Sequence, residues 1–282
     1  MNQQSYYERE QSEIEKYITL WQLSNLELID DQKNSCVIKC ESRNYGKAIL
    51  KKRSTTKEIK EEYNTLVEYN GKCFCKAYEA DVAHGVLLEE QILPGNVLRE
   101  VASLDKRLSI FCGLQKELHI LPSKPEQYRT YLDWVTRITR YMEQRSDYKE
   151  LTLHMQKAEV ICNELFRLYP LKMLLHGDLH HDNILLNSTG GYTIIDPKGI
   201  LGDPIFDLPR FIVNELENDM NDKLFEKIMY IIHYFSEQLQ LPVHRIKECF
   251  YVELAMSECW NVEDGDPVNI NKVEFAKRIL ES

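Results

Sequence analysis

The sequence predicts an α+β chain of two lobes. A small β-rich N-terminal lobe spans residues 1–91, and a larger, mainly helical lobe spans residues 92–282. Three observations carry this. Short β-prone runs separated by turn clusters fill residues 26–53 and 74–93. From Pro94 onward the apolar residues recur at helical spacing. With 282 residues, 43% of them apolar and 28% charged, the chain has the size and composition to bury a core in one large domain or two modest lobes.

The elements follow in order. Residues 1–20 read as a short amphipathic helix. Val37 and Ile38, then Ala48, Ile49 and Leu50, sit in runs divided by DDQKNS and SRNYG, the pattern of antiparallel hairpins. In AILK, Ala48 and Leu50 point one way, and Ile49 and Lys51 the other. Residues 55–71 form a helix with Thr at its start, acids early, Ile59, Tyr63, Leu66 and Val67 on one face, and Gly71 as its stop. Residues 74–93 return to two strands across AHG, and Cys73 and Cys75 alternate onto one face of a strand. Residues 97–121 are helical, with Leu104, Leu108, Phe111, Leu114 and Leu118 in register, and PSKPEQY breaks them. Two helices follow near 128–144 and 149–168. Two small strands flank NSTGG, and the rest is largely helical with breaks at Pro204, Pro242 and EDGDP. The cleft between two such lobes is the expected place for a ligand.

The net charge of −10 disfavours nucleic acid as a partner, because phosphates want a basic surface. It suits a cationic ligand, although solubility alone accounts for it. No apolar run reaches the roughly 20 residues of a membrane helix. The polar, acidic N-terminus lacks the basic start and apolar stretch of a signal peptide. The expectation is a cytoplasmic protein with no membrane partner; oligomeric state is not legible. The eight cysteines read as reduced thiols, and a lone C-x-C without a second pair does not make a zinc site.

The most chemical stretch is LLHGDLHHDNILL, residues 174–186. A binuclear metal site is one reading, using His176, His180, His181, Asp178 and Asp182. The order of ligands is wrong for it, and only His233 and His244 remain downstream, both in helical stretches. A plain surface turn fits poorly too, since leucines on both sides anchor the loop in a core. Phosphoryl transfer fits best. It needs a base for the acceptor hydroxyl and oxygen ligands for Mg²⁺. Asp178 supplies the base, and Asn183 and Asp196 the oxygens. Lys51, at the end of an apolar strand, reaches nucleotide phosphates with Glu62, or alternatively Glu61, as its partner. A solvated cationic run remains the alternative for KKR.

HGDLHHDNILL resembles the H-G-D-x-x-x-x-N catalytic loop of the aminoglycoside phosphotransferase superfamily, relatives of the protein kinases. IDPKGILGDPIFDL, residues 195–208, is similar to the corresponding run of the aminoglycoside/hydroxyurea resistance kinase branch. LLEEQILPG resembles that branch's hinge, and ECWNVEDG its C-terminal W-x-x-x-D-G segment. The resemblance implies a bilobal, protein-kinase-like fold and an ATP- and Mg²⁺-dependent kinase. It implies Asp178 as catalytic base, Asn183 and Asp196 as Mg²⁺ ligands, Lys51 paired with Glu62 on the phosphates, and backbone groups of Glu90 and Ile92 at the adenine edge. It implies structural roles for His176 and Asp207 in bracing the loop. The phosphate-covering loop falls near 30–36, where there is no glycine; Lys198 stands where many kinases have a small residue, to touch phosphate or to form a salt bridge.

The family places the acceptor in the helical lobe. A polycationic antibiotic calls for carboxylates and an aromatic platform. Glu258, Trp260, Glu263 and Asp264 offer both in one segment, with Asp203 in the loop before the brace; a solvated acidic turn is the competing reading of NVEDGDP. The expected reaction is O-phosphorylation of an aminoglycoside, streptomycin first. The alternatives are a kinase for a housekeeping sugar, choline or amino alcohol, and a nucleotide-binding regulatory protein without transfer activity.

Overall fold

The computed structural model describes residues 5–282. In chain order its elements begin with α1 (Tyr6–Leu20), β1 (Leu23–Asp31), β2 (Ser35–Ser42), β3 (Gly46–Arg53), α2 (Thr56–Tyr69), β4 (Ala77–Asp81), β5 (Val86–Glu90) and β6 (Pro94–Val97). They continue with α3 (Leu104–Leu118), β7 (Arg129–Thr130), α4 (Tyr131–Glu143), α5 (Lys149–Leu168), β8 (Met173–Leu175), β9 (Ile184–Asn187) and β10 (Tyr192–Ile194). The last are β11 (Ile200–Gly202), α6 (Leu208–Val213), α7 (Asp222–Leu239), α8 (Val243–Asp264) and α9 (Ile270–Leu280).

Two compact units result. The first holds the chain up to Leu98 together with Asn183–Lys198; the second holds Arg99–Asp182 and Gly199–Ser282. The sequence suggests a single cut after residue 91. The structure instead cuts after Leu98 and returns β9 and β10 to the first unit. Non-local pairing is the reason: β9 pairs with β6, and Phe74 bridges to Ile194 of β10.

In the first unit, antiparallel strands run in the order β1-β2-β3-β5-β4. β2 alternates strictly, burying Cys36, Ile38 and Cys40 on one face. That face joins Ala48 and Leu50 of β3 against Ile14, Tyr17 and Trp21 from the end of α1. The buried stripe of α2 is Ile59, Glu62, Leu66 and Tyr69, while Val67 is 52% exposed, so the apolar face expected from the sequence is rotated. A glutamate inside a buried stripe requires a partner, and this one belongs to the site. α2 ends on Asn70 in the left-handed region, one residue before the expected stop at Gly71. The C-x-C stretch is not an alternating strand: Cys73 takes a φ of 61° in a turn, and Cys75 is buried.

In the second unit, α3 starts at Leu104, capped by Ser103, rather than near residue 97. Residues 94–97 are drawn into strand pairing instead. Phe111 of α3, Phe211 of α6 and Phe235 of α7 pack together, with centroids 4.3 Å (Phe111 to Phe211), 5.3 Å (Phe111 to Phe235) and 5.7 Å (Phe211 to Phe235) apart. α8 is buried on nearly all sides, packed against α4, α5, α6, α7 and α9. Such a helix carries no amphipathic stripe, and its polar residues must be satisfied from neighbours. The short sheet β7-β11-β8 holds Leu174 and Leu175, the residues that lead into the HGD loop. Among the described residues no helix is long and apolar enough to cross a membrane.

Candidate active site

In the first unit, β3 delivers Lys51 to the face opposite the core, as the alternation of AILK requires. Its ammonium lies 2.5 Å from Glu62, 2.8 Å from Glu89 and 3.3 Å from Asp196. Burial alone would lower this lysine, but the three carboxylates outweigh it and hold it well above its ordinary value. It is therefore a permanent cation. Burial pushes the Glu89 carboxyl up to about 7 against the pull of Lys51. The basic run is not solvated: Lys52 is buried and bonds the His84 carbonyl, and Arg53 bonds Asp196 at 2.7 Å and Glu58 at 3.0 Å.

Asp196 directly follows β10 and Ile195, and adopts a φ of 58°, a region where only Asn, Asp and Gly settle readily. Burial would raise its carboxyl, but Lys51, Lys198 and Arg53 hold it well below the usual range. Lys198 thus forms the salt bridge of its two expected alternatives, at 3.1 Å. Asn183 is buried in the same unit, and its carbonyl accepts the Ile195 amide. One ionised carboxylate and one amide oxygen are hard donors, the kind that suit Mg²⁺ when phosphates and water complete its shell. The donor set therefore fits the ion that the family implies.

A cavity of about 280 Å³ adjoins this cluster. Ile29, Val37, Ile49, Leu185 and Ile195 form apolar walls, and Lys51, Glu89, Glu90 and Ile92 line it too. The cavity thus has apolar walls and a polar end, and Glu90 and Ile92, the two positions expected at the adenine edge, are among its lining residues. The covering turn is tight rather than glycine-rich. Gln32 donates to the Ser35 carbonyl, and Asp31 is turned toward the amide of Tyr7, which it accepts at 3.1 Å.

In the second unit, Asp178 follows Gly177, whose φ of 81° gives the loop its sharp bend. Asp207 anchors that bend. Its two carboxylate oxygens accept the amides of His176 at 2.9 Å and Gly177 at 2.8 Å, and His119 lies 3.0 Å from it. Burial would raise Asp207, but His119 and the amide bonds hold it below its usual value. The His176 ring accepts the Asp178 amide through Nδ1. His181 sits 2.8 Å from Glu215 and stacks on Phe211 at 4.0 Å, and burial lowers its imidazole. Because a carboxylate only accepts, Nε2 of His181 carries the proton. The Asp178 side chain itself meets Arg210, 2.6 Å away.

The residues expected to line the acceptor site are dispersed. Glu258 is buried and clamps the start of α9, accepting the Asn269 amide at 2.7 Å and facing Lys272 at 3.3 Å. Asp203 caps the turn at Pro204 by accepting the Ile205 amide at 3.1 Å. Glu263 makes a two-point pair with Arg137 at 2.6 and 2.9 Å. Asp264 is exposed at the last position of α8, so NVED is helix and only Gly265 onward is turn. Trp260 packs edge-on to Trp134 at 5.6 Å and lies 5.9 Å from the Arg210 guanidinium. The structure does not gather the four acids into one pocket. Sequence reasoning missed Arg53, Glu89, His119, Arg210, Glu215 and Glu253. Of these, only Arg210 left a local signal, one helical turn after Asp207 in DLPR.

The aminoglycoside/hydroxyurea antibiotic resistance kinases match residues 20–265. The chain belongs to that family. As a member, this kinase is a phosphotransferase with an alcohol group as acceptor. It is 21% identical to a streptomycin 6-kinase of Streptomyces griseus, covering 89% of this chain and 83% of that protein. Among solved structures, the choline kinase LicA of Streptococcus pneumoniae superposes with a TM-score of 0.69 at 17% identity, covering 97% of this chain and 99% of that one. Aminoglycoside phosphotransferase APH(4)-Ia, solved with ADP and hygromycin B, gives a TM-score of 0.67 at 12% identity, covering 95% and 96%. These likenesses establish that the kinase has the protein-kinase-like α+β fold, with a β-sheet lobe and a helical lobe.

Proposed function

We propose that this kinase transfers the γ-phosphoryl group of ATP to a hydroxyl of an aminoglycoside, with streptomycin the first candidate. The observation that carries the proposal is the loop 176–183, which presents an anchored Asp178 five residues before Asn183 and is followed by Asp196 in the cluster with Lys51. Lys51 and Arg53 meet the polyphosphate, the apolar slot takes the adenine, and the backbone of Glu90 and Ile92 meets its edge. Asn183 and Asp196 would hold Mg²⁺, which would neutralise charge on the phosphates. As the acceptor oxygen attacks the γ-phosphorus, Asp178 takes its proton and ADP leaves. His176 and Asp207 keep the loop in place for that step.

The acceptor preference rests on family kinship and on Trp260 with its neighbour Trp134, an aromatic platform for a cationic ring substituent. Glu263 serves only if the antibiotic displaces Arg137 from it. The same indoles suit a single quaternary ammonium group, so a choline-like alcohol is the second reading. An ATP-turnover assay across aminoglycosides, choline, ethanolamine and sugars decides between them. Turnover with streptomycin is the expected result. Turnover with choline alone would move the assignment to the second reading, and none with any acceptor would overturn both.

A further inference from the structure

Arg210 lies between two carboxylates, Asp178 and Glu253. Its Nε donates to Asp178 Oδ1 at 2.6 Å, and its Nη1 donates to Ser257 Oγ at 2.9 Å. The same Nη1 lies 3.4 Å from Glu253 Oε1. Glu253 is buried in α8, and its other oxygen accepts the Tyr131 hydroxyl at 2.6 Å. The guanidinium is therefore fixed from behind by an anion and a hydroxyl while its leading edge grips one oxygen of Asp178. Four residues of chain carry both anchors: Asp207 on the loop's backbone, Arg210 on its side chain.

We propose that Arg210 is a positioning residue for phosphoryl transfer, holding the Asp178 carboxylate through Oδ1 in the direction from which it takes the acceptor's proton. This rests on Asp178 being the base. A guanidinium fork suits the task because it is planar and stays charged, so it restrains the carboxylate in direction as well as position. The neighbouring histidines and Glu253 stand differently to Asp178. His180 Nε2 is 3.9 Å from Oδ2, and burial lowers its imidazole, so it is neutral near pH 7. His176 uses Nδ1 on the Asp178 amide. Glu253 and Tyr131 lie behind Arg210 and act on Asp178 only through it. A neighbouring cation favours the ionised carboxylate, so losing Arg210 moves the acid limb of the pH–rate profile to higher pH.

The test compares Arg210→Gln and Arg210→Lys with the wild type and with Asp178→Asn. Arg210→Gln is expected to lower kcat about 10²-fold, with the KM for ATP unchanged, and to move the acid limb up by about one pH unit. Arg210→Lys is expected to restore the limb but only part of kcat, since it keeps the charge and loses the fork. An unmoved acid limb in Arg210→Gln, or a loss confined to acceptor KM, would overturn the proposal. Should Arg210→Gln fail to fold, Glu253→Gln loosens the guanidinium from behind and is read by its loss of kcat at unchanged KM for ATP, since removing a nearby negative charge does not raise the acid limb. The ¹³C carboxyl resonance of Asp178, titrated in wild type and variant, reports the same contact without turnover. If Asp178→Asn keeps full activity, the base assignment fails, whatever the Arg210 variants do.

Discussion

The Lys51 cluster and the Asp178 loop solve opposite problems. Around Lys51, side chain meets side chain: Glu62, Glu89 and Asp196 surround one ammonium, and Arg53 and Lys198 close on Asp196 from other sides. Around Asp178, the decisive contacts are backbone amides on Asp207 and a single guanidinium. Ion pairs that break even against their desolvation can exchange partners when a polyanion and its counter-ion arrive. Amides fixed in a bent loop cannot. The contrast suits the roles proposed for them: exchangeable ion pairs where nucleotide phosphates would bind, and a fixed bend under the proposed base.

Three experiments break or sharpen that contrast. The largest effect is expected from Asp178→Asn. Turnover should fall about 10³-fold while calorimetric ATP binding stays intact, because the proposed base lies outside the Lys51 cluster. Parallel loss of ATP binding would erase the distinction. Next is Lys51→Met, which leaves Glu89 buried without its cation and Glu62 with only Arg53, 3.6 Å away. Urea unfolding should show about 3 kcal/mol less stability, with ATP binding lost at the same time. A variant as stable as the wild type would mean that the cluster is not held by Lys51.

The smallest effect concerns Glu215. Burial pushes its carboxyl up, but hydrogen bonds from His181 and Arg107 outweigh that and bring it from 4.5 down to about 2. A depressed carboxylate contributes stability that is complete above its ordinary value and is lost as pH falls from there through about 2. Glu215→Gln should therefore cost about 1–2 kcal/mol at pH 7, solvent screening included, and the gap should narrow by pH 3. Urea midpoints at the two pH values measure it; an equal gap at both would show that the pairing does not couple to protons.

How far the sequence could be read depended on the range of each interaction. The hairpins of β2 to β5, the helices α4 and α5, and the placement of Lys51 opposite Ala48 and Leu50 follow from periods of two or 3.6 residues along the chain. The bend that carries Asp178 was legible as a short motif, since His176, Gly177 and Asp178 are consecutive. Glu258 and Glu263 were misleading for a physical reason. A carboxylate in a local acidic run looks available to a ligand until Asn269, Lys272 or Arg137 arrives from another element. Glu89 and Glu253 were invisible, because a glutamate in a strand or helix announces nothing about a partner dozens of residues away.

By itself the sequence determined the two-lobe α+β character, the kinase family and the residue types available for proton and metal chemistry, all of which rest on local periodicity and short motifs. Tertiary structure alone decided which charges meet. It returned β9 and β10 to the first unit, set three carboxylates around Lys51, and closed Arg210 onto Asp178. Electrostatic partnership depends on distance in space and on burial, and neither is written in the order of residues along the chain.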